Sequence, residues 1–187
     1  MQNIKDFALS LPLRNILANT WFQVISFAAL TAVSAQIAFP AKPVPFTFQT
    51  AVVVLAGAML GAKKGAYSQM TYLLLGVAGL PVFAPVPDAV PGFLRLFGPT
   101  GGYLLAFPLG ALITGLIVEK HGSYFAVVSA MFLGNIAILV SGALYLDLVF
   151  VHDLKNSLLL GGAVFSLWTV VKVFTASAIY FSLRKIK

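Results

Sequence analysis

One charge lies inside a long apolar stretch of this sequence: Lys172, in the run Trp168-Thr-Val-Val-Lys172-Val-Phe. An ionisable side chain at the centre of a membrane helix costs ~2.5–3.5 kcal/mol on insertion. Such a cost persists where the side chain faces a cavity and meets an anion. The plainer alternative is an ammonium that snorkels to the interface on its aliphatic stem. A helix starting near Ala163 puts Lys172 about halfway across, too deep for that. Trp168 lies one turn earlier on the same face, where an indole can stack on a ligand.

Two further charges, Asp88 and Arg95, fall in the stretch from Gly79 to Tyr103, which carries prolines at 81, 85, 87, 91 and 99. Proline lacks the backbone donor and clashes with the preceding turn, so a continuous helix is excluded here. Phe83, Phe93, Leu94, Leu96, Phe97 and Tyr103 demand burial all the same. An apolar, non-helical segment with two opposite charges reads as a folded lid or pocket wall, since irregular backbone at a membrane must be buried or wetted by a cavity. Gln36, Gln49, Gln69, Tyr72, Thr100, Tyr103 and Asn135 complete the polar candidates, with Gln36 and Asn135 better suited to bridging helices.

Enzyme chemistry finds no support. There is no helical His-Glu-x-x-His, no Gly-x-Ser-x-Gly, no phosphate loop and no cysteine. His121 and His152 sit at expected interfaces or loops and read as solvated. No catalytic residue, metal ligand or cofactor is expected, and the chain has no means of its own to use ATP.

These residues must be positioned by elements that live in lipid. The chain of 187 residues is 60% hydrophobic and 9% charged, with a mean hydropathy of +0.97. A soluble domain carries about 25% charged residues. The net charge of +7 comes from Lys and Arg placed beside apolar spans, a topogenic pattern rather than a nucleic-acid footprint. The expected fold is an all-α membrane protein, one six-helix transmembrane bundle with structured outer loops. Its spans are placed at 20–39, 50–62, 65–80, 102–118, 123–146 and 157–183, the second being shorter than a bilayer is thick. The first 19 residues read as an interfacial helix broken near Pro12, not as a cleaved leader. Residues 147–156 read as a polar connection, and Gly161 and Gly162 as a bend or the true start of the last helix. Ala28, Ala32 and Ala35 form a smooth stripe on the first span, which either packs internally or docks a partner.

Six spans put both termini on one side with the turns at 63–64 and 119–121. That side holds eight cations, Lys5, Arg14, Lys63, Lys64, Lys120, Arg184, Lys185 and Lys187, against Lys42, Arg95 and Lys155 opposite. Positive loops stay cytoplasmic, so both termini are expected inside and both proline-rich loops outside.

Several motifs then carry a resemblance. Ala38-Phe-Pro with Pro43-Val-Pro-Phe-Thr-Phe-Gln-Thr50, Leu55-Ala-Gly-Ala-Met-Leu-Gly61, Tyr72-Leu-Leu-Leu-Gly76, Gly79-Leu-Pro-Val-Phe83 and Gly98-Pro-Thr-Gly-Gly-Tyr103 together resemble the BioY family. These are the biotin-binding S components of energy-coupling factor transporters. Residues 20 to 120 match well and the last third loosely. The resemblance implies a six-helix vitamin-binding subunit, an outward pocket capped by the loop between helices 1 and 2, and a transmembrane T protein with two ATP-binding subunits as partners. It also implies docking through the small residues of helix 1.

The sequence departs from that family at the sixth helix, which in the family opens with Gly-Asp and a lysine three residues on. Here Trp168 and Thr169 stand at those positions while Lys172 remains. Asp88 or Gln49 is left to meet biotin's urea, or the specificity has changed to another carboxylated vitamin or precursor. Biotin suits the residues on chemical grounds too: one anion, an apolar bicycle and a hydrogen-bonding urea call for a cation, aromatic walls and a few amides. Lys172 or Arg95 can pair with the carboxylate, Arg95 with bidentate geometry. Trp168, Phe46, Phe83 and Tyr103 are the expected walls, with Tyr72 as a further polar contact. An intramembrane enzyme and a purely structural scaffold are the readings from other classes.

Overall fold

The computed structural model describes residues 17–39, 44–85, 90–162 and 167–184. Helix α1 spans Thr20–Gln36 and starts at Asn19, whose Oδ1 accepts from the backbone N–H of Trp21 (2.8 Å) and Phe22 (3.2 Å). Those bonds satisfy two of the donors that a helix start leaves open. Beyond α1 the chain is extended. Strand β1 (Ala38–Phe39) pairs antiparallel with β2 (Phe46–Thr47), in the register Ala38↔Thr47 and Phe39↔Phe46. This ribbon closes the first proline-rich loop.

Helix α2 (Gln49–Leu60) turns at Gly61, whose φ of 84° suits glycine, straight into α3 (Ala62–Val77). The open start of α3 is capped from a distance: Glu119 Oε1 accepts from the Ala62 N–H at 2.8 Å. After α3 the proline-rich segment contains a 3₁₀ helix, Gly92–Phe97, held between Pro91 and Gly98. The expected fourth span is two pieces, α4 (Gly101–Leu105) and α5 (Phe107–Lys120). Pro108 lies in the first turn of α5, where its missing N–H does no harm but its ring disfavours a seamless helix upstream. Helix α6 (Tyr124–Leu146) runs on into a π turn, Asp147–Val151, and stops at His152 in the left-handed region (φ 53°). The expected polar connection from 147 is therefore helical through Val151. Helices α7 (Leu154–Gly162) and α8 (Leu167–Arg184) follow, so α7 ends at the glycine pair.

Helix α5 packs on α2, α3 and α6; α1 packs on α3 and α2, and α8 on α2 and α6. One core cluster unites Ala28, Val53, Tyr72, Phe107 and Ile138, and another Val54, Val127, Met131 and Val173. Outward faces stay apolar: Trp21, Ile25 and Val33 on α1, Phe125 on α6 and Phe174 on α8 are all exposed. An apolar patch of that extent calls for lipid or a partner. Two helical stretches, Gly101–Lys120 and Tyr124–Val151, are by themselves long and apolar enough to cross a membrane.

In the alanine stripe, Ala28 and Ala35 are fully buried within the chain, and Ala32 packs against the same core. Small residues here let α1 approach its own neighbours, the internal-packing side of the two roles expected for the stripe. Small-residue spacing specifies close approach, not which helix approaches.

Candidate functional site

The site starts where β2 passes through Phe48 into α2, at Thr47 and Gln49. Thr47 and Gln49 are buried while Phe46 and Phe48 are only partly so. Thr47 Oγ1 donates to Gln49 Oε1 at 2.9 Å, and Gln49 Nε2 donates to the Tyr72 hydroxyl at 2.6 Å. Tyr72 donates in turn to the Val82 carbonyl at 3.2 Å. Lys172 reaches this segment from α8: its Nζ donates to Thr50 Oγ1 (2.9 Å) and to the Thr47 carbonyl (3.3 Å). It is 2% exposed. Both acceptors are neutral, so neither compensates the ammonium charge.

Arg95, on the 3₁₀ helix, is 7% exposed. Its Nη2 donates to the Ala84 carbonyl at 2.8 Å, while its Nε is buried with no hydrogen-bond partner among the described residues. Burial lowers the guanidinium pKa below its ordinary value, and the nearby Tyr72 partly opposes this. Arginine stays cationic even so.

Lys172 and Arg95 line one cavity together with Gln49, Thr47, Thr50, Thr100, Tyr103, Phe83 and Phe107. Among the described residues no carboxylate lines it, and neither cation forms an ion pair. Tyr103, also buried, has no hydrogen-bond partner for its hydroxyl among the described residues. The arrangement is a mostly apolar chamber with two uncompensated cations and a carboxamide. That chemistry matches a small anion with an apolar body and hydrogen-bonding groups. The free space is about 50 Å³, well below the ~300–1,000 Å³ of typical ligand pockets. A drug-sized ligand must therefore move the walls. A neighbouring cavity of about 230 Å³ shares Phe83, Ala84 and Arg95, which stand between the two spaces.

Of the residues singled out in the sequence, Lys172, Arg95, Gln49, Thr100, Phe83 and Tyr103 share this cavity. Tyr72 lies behind Gln49, fully buried between Phe83 (5.6 Å between ring centroids) and Phe107 (6.1 Å). Phe46 packs on the core without lining the cavity. Trp168 also stands outside it, with edge contacts to Phe39 (5.6 Å) and Phe48 (5.4 Å) that clamp α8 to the ribbon. Asp88 lies outside the described residues. Thr47 and Thr50 were not foreseen as site residues.

The model of the BioY family matches residues 5–187. The chain is 38% identical over 161 residues to a biotin transporter BioY of Thermotoga maritima, covering 86% of this chain and 93% of that protein. It is 35% identical over 174 residues to biotin transporter BioY2 of Lactococcus lactis subsp. cremoris, covering 92% and 87%. In structure it resembles the crystallised S-component for biotin from an ECF-type ABC transporter, with a TM-score of 0.81 and 26% identity over 91% of this chain and 93% of that one. With the family model spanning nearly the whole sequence and the Thermotoga protein matched over most of its length, the chain belongs to the BioY family.

Proposed function

We propose that this chain is the biotin-binding S component of an energy-coupling factor transporter, a transport protein and not an enzyme, which captures biotin at the outer face of the cell membrane. One observation carries the reading: Lys172 and Arg95 are buried in one cavity, with no carboxylate among the described residues that line it and Gln49 beside apolar walls. Biotin brings the missing anion, an apolar bicycle for Phe83, Tyr103 and Phe107, and a urea for Gln49. Relatives named as biotin transporters support it. Thr169, buried on α8 where the family resemblance expects an aspartate, favours the second reading of another carboxylated vitamin or precursor. Radiolabelled biotin added to the purified protein should bind saturably at one site per chain. Absence of saturable binding by folded protein would overturn the assignment.

The chain has no phosphate loop, so uptake driven by ATP requires a T protein and ATP-binding subunits supplied by other chains. Six spans with both termini cytoplasmic best accommodate the cation asymmetry, α4 with α5 making one span and α7 with α8 another. The whole chain then forms one transmembrane domain. Cysteines introduced at Ser123 and Asp88 should label from opposite faces of the membrane, the second from outside. Labelling of both from one face would sink the topology.

A further inference from the structure

Gln49 lies in the cavity, but what it can offer a ligand is decided behind it. The Val82 carbonyl can only accept, so the Tyr72 hydroxyl, 3.2 Å away, spends its single proton there. The Gln49 group 2.6 Å from that same hydroxyl must then be a donor, which makes it Nε2. Oε1 is left to face Thr47, whose hydroxyl donates to it at 2.9 Å. The opposite turn of the carboxamide would leave the Val82 oxygen without its donor. Two commitments are thus made, and one lone pair of Oε1 and one N–H of Nε2 stay available on a residue that lines the cavity.

We propose that Tyr72, which never touches the ligand, is a positioning residue that locks the Gln49 carboxamide in one of its two orientations, so that the site selects an N–H and C=O edge such as that of a cyclic urea. This rests on the biotin reading above and assigns the part of the ligand that Gln49 recognises. A ligand edge with two donors meets the fixed N–H of Gln49 head-on and is rejected. Freed of Tyr72, the carboxamide can turn to offer its oxygen, and the rejection weakens.

The test compares affinities for biotin and for 2-iminobiotin at neutral pH, where a guanidinium replaces the urea and presents donors only. The parent should prefer biotin strongly. Tyr72→Phe keeps the ring between Phe83 and Phe107 and should shrink that preference by roughly tenfold, the scale of one hydrogen bond in a buried site. A purely structural Tyr72 would weaken both ligands in proportion and leave the ratio unchanged; an unchanged ratio overturns the proposal. If Tyr72→Phe is not recovered folded, Gln49→Met carries the test, since it removes the carboxamide itself and should shrink the ratio at least as much. A parent that binds biotin while both variants keep its preference refutes the inference alone. A folded parent that binds no biotin refutes the functional reading and this inference with it.

Discussion

Lys172→Met should bind biotin some thirty- to several-thousand-fold more weakly than the parent. Methionine keeps the length and apolar bulk of the stem and removes only the charge. Removing one partner of a desolvated charge pair costs ~2–5 kcal/mol, much of it from the carboxylate left unpaired, and ~1.4 kcal/mol is tenfold in affinity. Lys172 is 2% exposed and lines the cavity, and its two protein partners, Thr50 Oγ1 and the Thr47 carbonyl, are neutral. On the proposed function the carboxylate of biotin is the compensating anion. A biotin derivative with a neutral amide tail should lose far less, having never used the cation. The ligand-free variant should unfold no earlier than the parent, since a buried charge without a counter-ion is a burden on the fold. Parent-like binding by folded Lys172→Met, or an equal loss for acid and amide, would move the anion contact to Arg95.

Charge made the site legible; hydroxyls and rings did not. A lysine in mid-helix and an arginine in an apolar loop are costly enough to stand out in a sequence, and both line the cavity. Thr50 gave no such signal, because a helical threonine can bond its own backbone and needs no partner elsewhere. Trp168 shares a helical face with Lys172, but the spacing says nothing of what lies opposite. The ribbon brings Phe39 and Phe48 against the indole, and the cavity begins beyond them. The helices were readable from apolar runs, while their ends were not. Asp147 looked like a stop, yet the chain continued as a π turn to Val151. Pro108 divided a stretch that composition alone presents as one span.

Gly57→Ala should lower the thermal unfolding midpoint and weaken biotin binding together. In an isolated helix the exchange is favourable, since glycine costs ~0.5–1 kcal/mol relative to alanine. Here a β-carbon on Gly57 would overlap the Ala111 carbonyl oxygen and stand 3.1 Å from its Cα. Those are backbone atoms of α5, which no rotamer change can move aside. Gly65 of α3 crowds the same point, its own added β-carbon falling 2.8 Å from the Gly57 Cα. Overpacking of this kind costs typically ~1–3 kcal/mol even where side chains can yield, so the clash outweighs the propensity gain and α2 is driven from α5. The site feels that displacement because α2 carries Gln49 and Thr50 while α5 carries Phe107, all lining one cavity. Gly98→Ala is the matched control: its β-carbon meets only the Arg95 carbonyl at 3.4 Å, and its φ of −82° suits any residue. Unfolding followed in detergent, with biotin affinity measured on the same preparations, should separate the two variants clearly. Equal midpoints for Gly57→Ala and the parent would mean that α2 and α5 can part without loss, and the close crossing would not be what holds the cavity walls in place.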